Sequence, residues 1–381
     1  MLRFLDAGES HGKAMISIID GIPSNFNIDI DFINNELKRR QSGYGRGERM
    51  NLEEDRVEFL SGVRGKNTTG NPITMVIYNK DYENWKEIIG KEPKSEEKIV
   101  VPRPGHGDLV GYFKYGTGDI RDTIERTSAR ETSIRTAVGA LCKEILKELG
   151  IEIRSKVHSL GNLYDDAVDI YDDTIYGKIN KSPVRCYNAE VEKGFIKKID
   201  ICKEQGETIG GSVFLSIKGV PIGVGSYSQW DRKLDAILSY GIMSVQGVKA
   251  IEFGNGLDLN LRGSTFNDEI IYENGNIKRK TNNCGGIEAG VSNGENIEIK
   301  VYIKPIPSIK KDIGTVDLRK KKETSTRYER SDVSAVIPAS IVLENVVAFY
   351  ILREIMNKFT ADEFFELKRS INYYRGTVYL R

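Results

Sequence analysis

The sequence predicts a protein of mixed helix and strand folded as one large domain. Strand and helix candidates alternate with polar, glycine-rich loops along all 381 residues, with no linker and no internal repeat. The most apolar run, residues 333–352, contains Pro338, Glu344 and Asn345. A carboxylate is costly in a bilayer, so the run reads as a buried core helix whose first turn accommodates the proline. A hydrophobic fraction of 39% beside 29% charged residues suits a soluble chain with a substantial core. Length alone allows two or three domains; the even alternation of elements is what favours one, spanning residues 1–381.

Taken in order, residues 15–20 (Met-Ile-Ser-Ile-Ile-Asp) read as a strand after the polar loop Gly8-Glu9-Ser10-His11-Gly12-Lys13. That loop lacks the glycine spacing and the Gly-Lys-Ser/Thr ending of a P-loop. Its histidine, set between small residues, is either ligand-facing or solvated. Residues 32–40 predict a short helix. It runs into Arg40-Gln41-Ser42-Gly43-Tyr44-Gly45-Arg46-Gly47-Glu48-Arg49-Met50. This flexible arginine loop can fold over a polyanionic small molecule or, on a second reading, bind RNA, although no repeat supports that. Strands follow at 57–62 and 73–78, separated by a turn at 67–72. Two prolines and two glycines fix the path of Pro102-Arg103-Pro104-Gly105-His106-Gly107-Asp108. A histidine on so constrained a loop reads as functional.

Glu125-Arg126-Thr127-Ser128-Ala129-Arg130-Glu131-Thr132 predicts a helix start. Apolar residues recur at 3–4 spacing from Ile134 to Leu149, and Ser128 with Glu131 forms a capping-box pattern. Arg126 and Arg130 then flank the free N–H groups of a first turn, a ready anion site. This helix ends near Gly150. Residues 151–157 alternate like a strand, with His158 structural at its end, and 161–182 read as surface decoration. Helices are predicted at 189–204 and 231–240, and strands at 213–218, 248–253 and 297–303. A glycine-rich loop covers 282–290. The strand exit Lys304-Pro305-Ile306-Pro307-Ser308 offers a lysine and a serine to a phosphate, or only a surface lysine. Arg330-Ser331-Asp332 precedes the core helix, and 361–371 is amphipathic.

A net charge of +1 argues against a nucleic acid backbone as the main partner. Cys142, Cys186, Cys202 and Cys284 show no metal-ligand spacing and no disulfide framework, which suggests reduced thiols in the cytoplasm. Three histidines and no cysteine pair make a poor metal binder, so no metal is expected. The start, Met1-Leu2-Arg3-Phe4-Leu5-Asp6, lacks the apolar core of a signal peptide. From the residues alone, the chain is an enzyme acting on a phosphorylated, carboxylated small molecule.

Three long motifs, in order, resemble the chorismate synthase family. Gly8-Glu9-Ser10-His11-Gly12 with Ile19-Asp20-Gly21-Ile22-Pro23 is similar to its first signature. Residues 126–132 with Gly139 and Ala140 are similar to its second. Arg330-Ser331-Asp332-Val333 with Glu344-Asn345-Val346 is similar to its third. Thr68-Thr69-Gly70, Arg103-Pro104-Gly105-His106 and Lys304-Pro305-Ile306 fall in the family order, and the resemblance runs from residue 3 to about residue 352. The departures are small. Thr127 stands where serine is usual, Gly107 where alanine is common, Ala289 where glycine is common, and Asp6 where threonine is usual. Ala289 lacks glycine's freedom at positive φ.

The resemblance implies an α+β fold, a β-α-β sandwich with helices layered between antiparallel sheets, and a homotetramer. It implies the anti-1,4-elimination of phosphate from 5-enolpyruvylshikimate 3-phosphate to give chorismate, with no net redox change and a requirement for reduced FMN. Substrate clamps would be Arg40, Arg46, Arg49, Arg103, Arg130 and Arg330, with Arg40 and Arg46 also matching NADPH positions. His106 matches the acid for the leaving phosphate, and His11 the histidine near the flavin N1/C2 carbonyl edge. Asp332 matches the carboxylate that takes a proton from flavin N5. Ser10 and Ser128 would relay hydrogen bonds. Flavin positions would be Arg126, Thr127, Ser128, Gln246, Gly247, Ala289, Lys304, Pro305, Ile306, Pro307, Ser308 and Arg330. The rival from another class is a non-catalytic RNA-binding protein using residues 39–49, and a second rival is a reductase using FMN for net hydride transfer.

Overall fold

The computed structural model describes residues 1–47, 53–273, 276–326 and 331–378. A four-stranded antiparallel sheet forms first, in the order Arg3–Gly8, Ala14–Asp20, Ile73–Tyr78, Glu58–Ser61. Alternation in Ala14–Asp20 sends Met15 and Ile19 inward and leaves Ile16 and Ile18 on the outer face. Leu5 pairs with Ile18 there and is 80% exposed, and Tyr78 lies on the same sheet. The strand Arg3–Gly8 was not expected from its mixed polar pattern; pairing with Ala14–Asp20 fixes it.

A second antiparallel sheet has the order Val248–Phe253, Ile297–Ile303, Gly211–Lys218, Glu152–Leu160, Leu163–Tyr164. The helices are α1 (Ile30–Gln41), α2 (Tyr82–Ile89), α3 (Asp108–Tyr115), α4 (Arg121–Thr127), α5 (Thr132–Glu148), α6 (Asp173–Lys181), α7 (Ala189–Gln205) and α8 (Leu234–Met243). The core helix Val336–Lys358 and a last helix, Phe364–Thr377, follow. α5 lies on the inner face of the first sheet, the core helix lies on the second, and the two helices pack on one another. The result is the expected sheet–helix–helix–sheet sandwich, with one hydrophobic core running through it.

Pro338 falls in the first turn of the core helix, as anticipated. The helix is long and apolar enough to cross a bilayer, but most of it is buried between the layers, with Glu344 fully enclosed. α5 and the core helix touch without an intervening side chain at Gly139, where a Cβ would stand 2.1 Å from the Asn345 carbonyl oxygen.

Three expectations change. The stretch 161–182 is not mere decoration, because Asp172 caps α6 within it through the amides of Thr174 and Ile175. Gly263–Phe266 adds a short helical turn where no element was expected. The helix start sought at Ser128 is a break between two helices. α4 ends at Thr127, Ser128 is extended (φ −63°, ψ 140°), a single 3-10 turn covers Ala129–Glu131, and α5 begins at Thr132. Ser128 Oγ accepts from the Arg130 amide at 3.3 Å, but the Glu131 side chain turns away to accept from Gln246, so the capping box does not close.

Candidate active site

The break at Ser128 sends Arg126 outward and Arg130 inward. Arg130 is buried: its Nε donates to Asn79 Oδ1 (2.8 Å), its Nη1 to Asp55 Oδ1 (2.5 Å), and Glu53 lies 3.6 Å from its Nη2. Arg40, at the end of α1, donates to the other Asp55 oxygen (3.2 Å), to Thr132 Oγ1 (2.9 Å) and to the Ala129 carbonyl (3.1 Å). One buried carboxylate therefore sets the spacing of two guanidinium groups. Burial pushes the pKa of Arg40 down to about 10, with the neighbouring Arg130 and Arg46 adding to the effect against Asp55.

The polar loop 8–13 closes one side. The Ser10 hydroxyl donates to Ser128 Oγ at 3.0 Å. His11 meets Glu125 twice, its amide donating at 2.7 Å and its Nδ1 lying 2.9 Å from Oε1. Burial alone would raise Glu125, but the His11 hydrogen bond and charge outweigh it and hold the carboxyl below its ordinary range. An ionised Glu125 can only accept, so Nδ1 carries the proton in this pair. The His11 ring stacks on Trp85 with centroids 4.1 Å apart, and Arg121 covers the same indole at 5.0 Å.

The loop 102–108 closes the other side. Asp108, buried at the head of α3, holds Arg103 through Nε (2.8 Å), Nη2 (3.0 Å) and the backbone amide (3.0 Å). Burial would raise Asp108, and Arg103 more than cancels it. His106 Nε2 lies 2.9 Å from Ser308 Oγ, while Ser331 donates to the Ser308 carbonyl at 2.9 Å. Gly105 must turn at φ 78°, and a Cβ there would press on Pro307 at 2.8 Å.

Asp332 meets the arginine loop. Its carboxylate accepts from the Arg46 guanidinium and, at 2.6 Å, from the Gly47 amide. The arginine loop is therefore docked over residues 41–47. Gln41 bonds to Glu53 and Asp55, Tyr44 OH donates to Asp200 (2.8 Å), and Val333 donates to the Gly45 carbonyl (3.1 Å). Arg49 and Arg330 lie outside the described residues. A further line of contacts carries the remaining predicted residues. Arg126 donates to Asp6 (2.9 Å), Gln246 to Glu131 (2.7 Å), the Lys304 amide to Gly247 (2.9 Å) and Lys304 Nζ to Gly105 (2.9 Å). Glu131 is raised by burial and by Asp6 beside it, against Arg135 and Gln246.

Ala289 is the exception. It sits with Gly290 in a two-residue hairpin turn, at φ 52° and 84°, whose Gly290 carbonyl accepts from Leu234 at the start of α8. Gln246 lies beyond the other end of that helix, roughly 15 Å along its axis. The left-handed turn forms without glycine, at a cost of about 1–2 kcal/mol. Thr127 donates to Thr123 at 2.7 Å, and Pro305 and Ile306 shape the strand exit, where Ile306 accepts from Thr208.

Sequence reasoning missed the partners: Asp55, Asn79, Glu125, Thr132 and Trp85. A usable signal existed, since a buried arginine demands a carboxylate, and Glu53-Glu54-Asp55 follows the arginine loop directly. The donor set suits a phosphorylated, oxygen-rich ligand such as a flavin nucleotide. Two guanidinium N–H groups, Arg46 Nε and Arg130 Nη2, are buried without a hydrogen-bond partner among the described residues.

Acid–base residues on one carboxylate-spaced bed of guanidinium groups place the protein among enzymes that act on polyanions, rather than among binding modules. The comparisons narrow this. A family model described as chorismate synthase matches residues 2–356. The chain is 77% identical to the chorismate synthase of Clostridium tetani over 381 residues, covering 100% of this chain and 99% of the relative. It is 50% identical to that of Alkaliphilus oremlandii, with both chains fully covered. A crystal structure of chorismate synthase superposes with a TM-score of 0.79 at 35% identity, over 100% of this chain and 99% of the other. The chain belongs to the chorismate synthase family, and is accordingly a lyase.

Proposed function

We propose that the protein converts 5-enolpyruvylshikimate 3-phosphate to chorismate and inorganic phosphate. The C–O bond to phosphate breaks with its electron pair leaving on oxygen, and the electrons of the C6–H bond end in the new double bond. No net oxidation results. The observation that carries this reading is the pair Arg40–Arg130 spaced by Asp55, with Arg130 Nη2 buried near Glu53 but without a hydrogen bond among the described residues. Arg46, Arg103, Arg49 and Arg330 complete the proposed clamp for one phosphate and two carboxylates.

His106 is the proposed proton donor to the leaving phosphate, oriented through Ser308. His11, held by Glu125, and Asp332, held by Gly47 and Arg46, are the proposed proton-handling groups on the flavin side. Ser10 and Ser128 are the proposed hydrogen-bond relay, joining the His11 loop to the break between α4 and α5. Reduced FMN, when bound, supplies the electron-rich partner that this elimination requires. Arg126, Thr127, Ser128, Gln246, Gly247 and residues 304–308 are assigned to hold it, and Ala289 and Arg330 are assigned by resemblance. Arg40 and Arg46 are also the proposed NADPH contacts.

We read residues 1–381 as one domain because one hydrophobic core spans both sheets. A homotetramer is supported by the exposed apolar strip Leu5, Ile16, Ile18 and Tyr78 on the outer sheet. A cytoplasmic setting is supported by four unpaired cysteines. The test is anaerobic chorismate formation with dithionite-reduced FMN, in wild type and Asp332→Asn. The variant should bind FMN and fold normally but turn over about 10²–10⁴-fold more slowly. Wild-type turnover in the folded variant would remove Asp332 from the mechanism, and no chorismate from the wild type would remove the reaction itself.

A further inference from the structure

A cavity of about 670 Å³ opens on the other face of α1, and none of the candidate catalytic residues lines it. Six cations wall it, Arg39, Lys143, Lys147, Arg154, Lys181 and Arg185, against two carboxylates, Glu36 and Glu152. Beneath it, Glu344 is fully buried. Arg39, Lys143 and Arg185 share Glu344, and Arg39 and Lys143 also share Glu36. Three cations on two carboxylates leave one positive charge in excess in a desolvated place, a condition that an incoming anion relieves.

Two further features point the same way. Arg185 is held at φ 54°, a conformation that a residue with a side chain rarely adopts. Its Nη1 donates to Asn180 (2.8 Å) and its Nη2 to the Ser155 carbonyl (2.8 Å), but its buried Nε has no hydrogen-bond partner among the described residues. Lys147 and Lys181 stand exposed at the rim, with no ion pair among the described residues. Ile151, Ile153 and the Tyr176 ring give the walls an apolar part, and Arg154 lies 4.7 Å over that ring. The volume is that of a small-molecule site rather than of a single ion.

We propose that this cavity is a second binding site, for a multivalent organic oxyanion with an apolar body. The shared chemistry is that of a phosphate ester or a polycarboxylate. Ser42 and Gly43 line the cavity, and the Tyr44 amide donates to the Pro183 carbonyl on its far wall at 2.8 Å. Two residues beyond Tyr44, the same loop delivers Arg46 to Asp332. An occupant therefore braces the root of the arginine loop. The site is independent of the reaction proposed at the other face.

Isothermal titration of the full chain with pyrophosphate and, separately, with citrate tests it in wild type, Lys147→Glu/Lys181→Glu and Arg46→Ala. A binding event with Kd below about 1 mM should persist in Arg46→Ala and weaken by about tenfold or more in the double variant. The double variant should keep the wild-type melting temperature and its activity without added anion. The tighter of the two probes identifies the ligand as phosphate-bearing or carboxylate-bearing. Absence of binding in wild type, or equal affinity in the double variant, overturns the proposal, as does a binding event that Arg46→Ala alone removes.

Discussion

Arg39 and Arg40 are neighbours in one helix, and their surroundings differ in kind. Burial would lower both. At Arg39 the carboxylates of Glu344 and Glu36 outweigh it and hold the guanidinium well above its ordinary value. At Arg40 burial wins, and Arg130 and Arg46 add to it. Arg46 follows Arg40 downward, again chiefly through burial. Glu344 accepts from Arg39, Lys143, Arg185, Ser155 and Tyr176, so the carboxylate under Arg39 is saturated with donors, and on that side Arg185 Nε is the guanidinium N–H left without a partner among the described residues. The Arg40 side keeps two such groups, Arg46 Nε and Arg130 Nη2, unsatisfied among the described residues. A cation already matched to carboxylates supports the fold; one desolvated ahead of its partner gains most from a ligand.

Glu344→Gln should break the comparison most visibly. It strands three buried or half-buried cations and should cost about 3–5 kcal/mol in urea unfolding; a loss below about 1 kcal/mol would show that the network is not the scaffold. His106→Ala acts on the other face. It should lower kcat by roughly 10²-fold or more with little change in KM or in melting temperature, and a rise in KM at constant kcat would reduce His106 to a binding residue. Arg46→Ala should weaken the phosphorylated substrate or NADPH by about 1.5–3 kcal/mol, read by titration; unchanged affinity for both would put the loop outside the site. Asp6→Asn sharpens the contrast most gently. Asp6 occupies Arg126, which is 44% exposed, so freeing it should tighten FMN only about two- to fivefold. Weaker FMN binding in that variant would mean that Asp6 orients Arg126 rather than competing for it.

The layers were legible because each reports itself locally. Residues 297–303 alternate cleanly and are a strand at those bounds, as is 248–253 despite a bulge between Val248 and Ala250, and the apolar run before residue 352 is the core helix. The site was legible as residue types on loops, but not as contacts. Arg40 reaches Thr132 across 92 positions and His11 reaches Glu125 across 114, distances at which no periodicity carries information. The break at Ser128 was hidden for a different reason. Serine followed by glutamate satisfies the local pattern of a cap, and only the competing pull of Gln246 and Arg135 on Glu131 decides against it.

Gly139 sets a tolerance for the whole site. Arg130 and Thr132 stand at the head of α5, and Asp332 just ahead of the core helix, so the width of the site is the separation of two helix ends. Those helices meet at Gly139 and Asn345, roughly 10 Å and 14 Å down their axes from the two heads. A methyl group at Gly139 would have to enter space that the Asn345 backbone already fills. The distance between Asp332 and Arg130 is thus gauged by an absent side chain that touches neither, and Gly139→Ala should impair turnover even in molecules that still fold, measurable as a lower kcat per correctly folded chain.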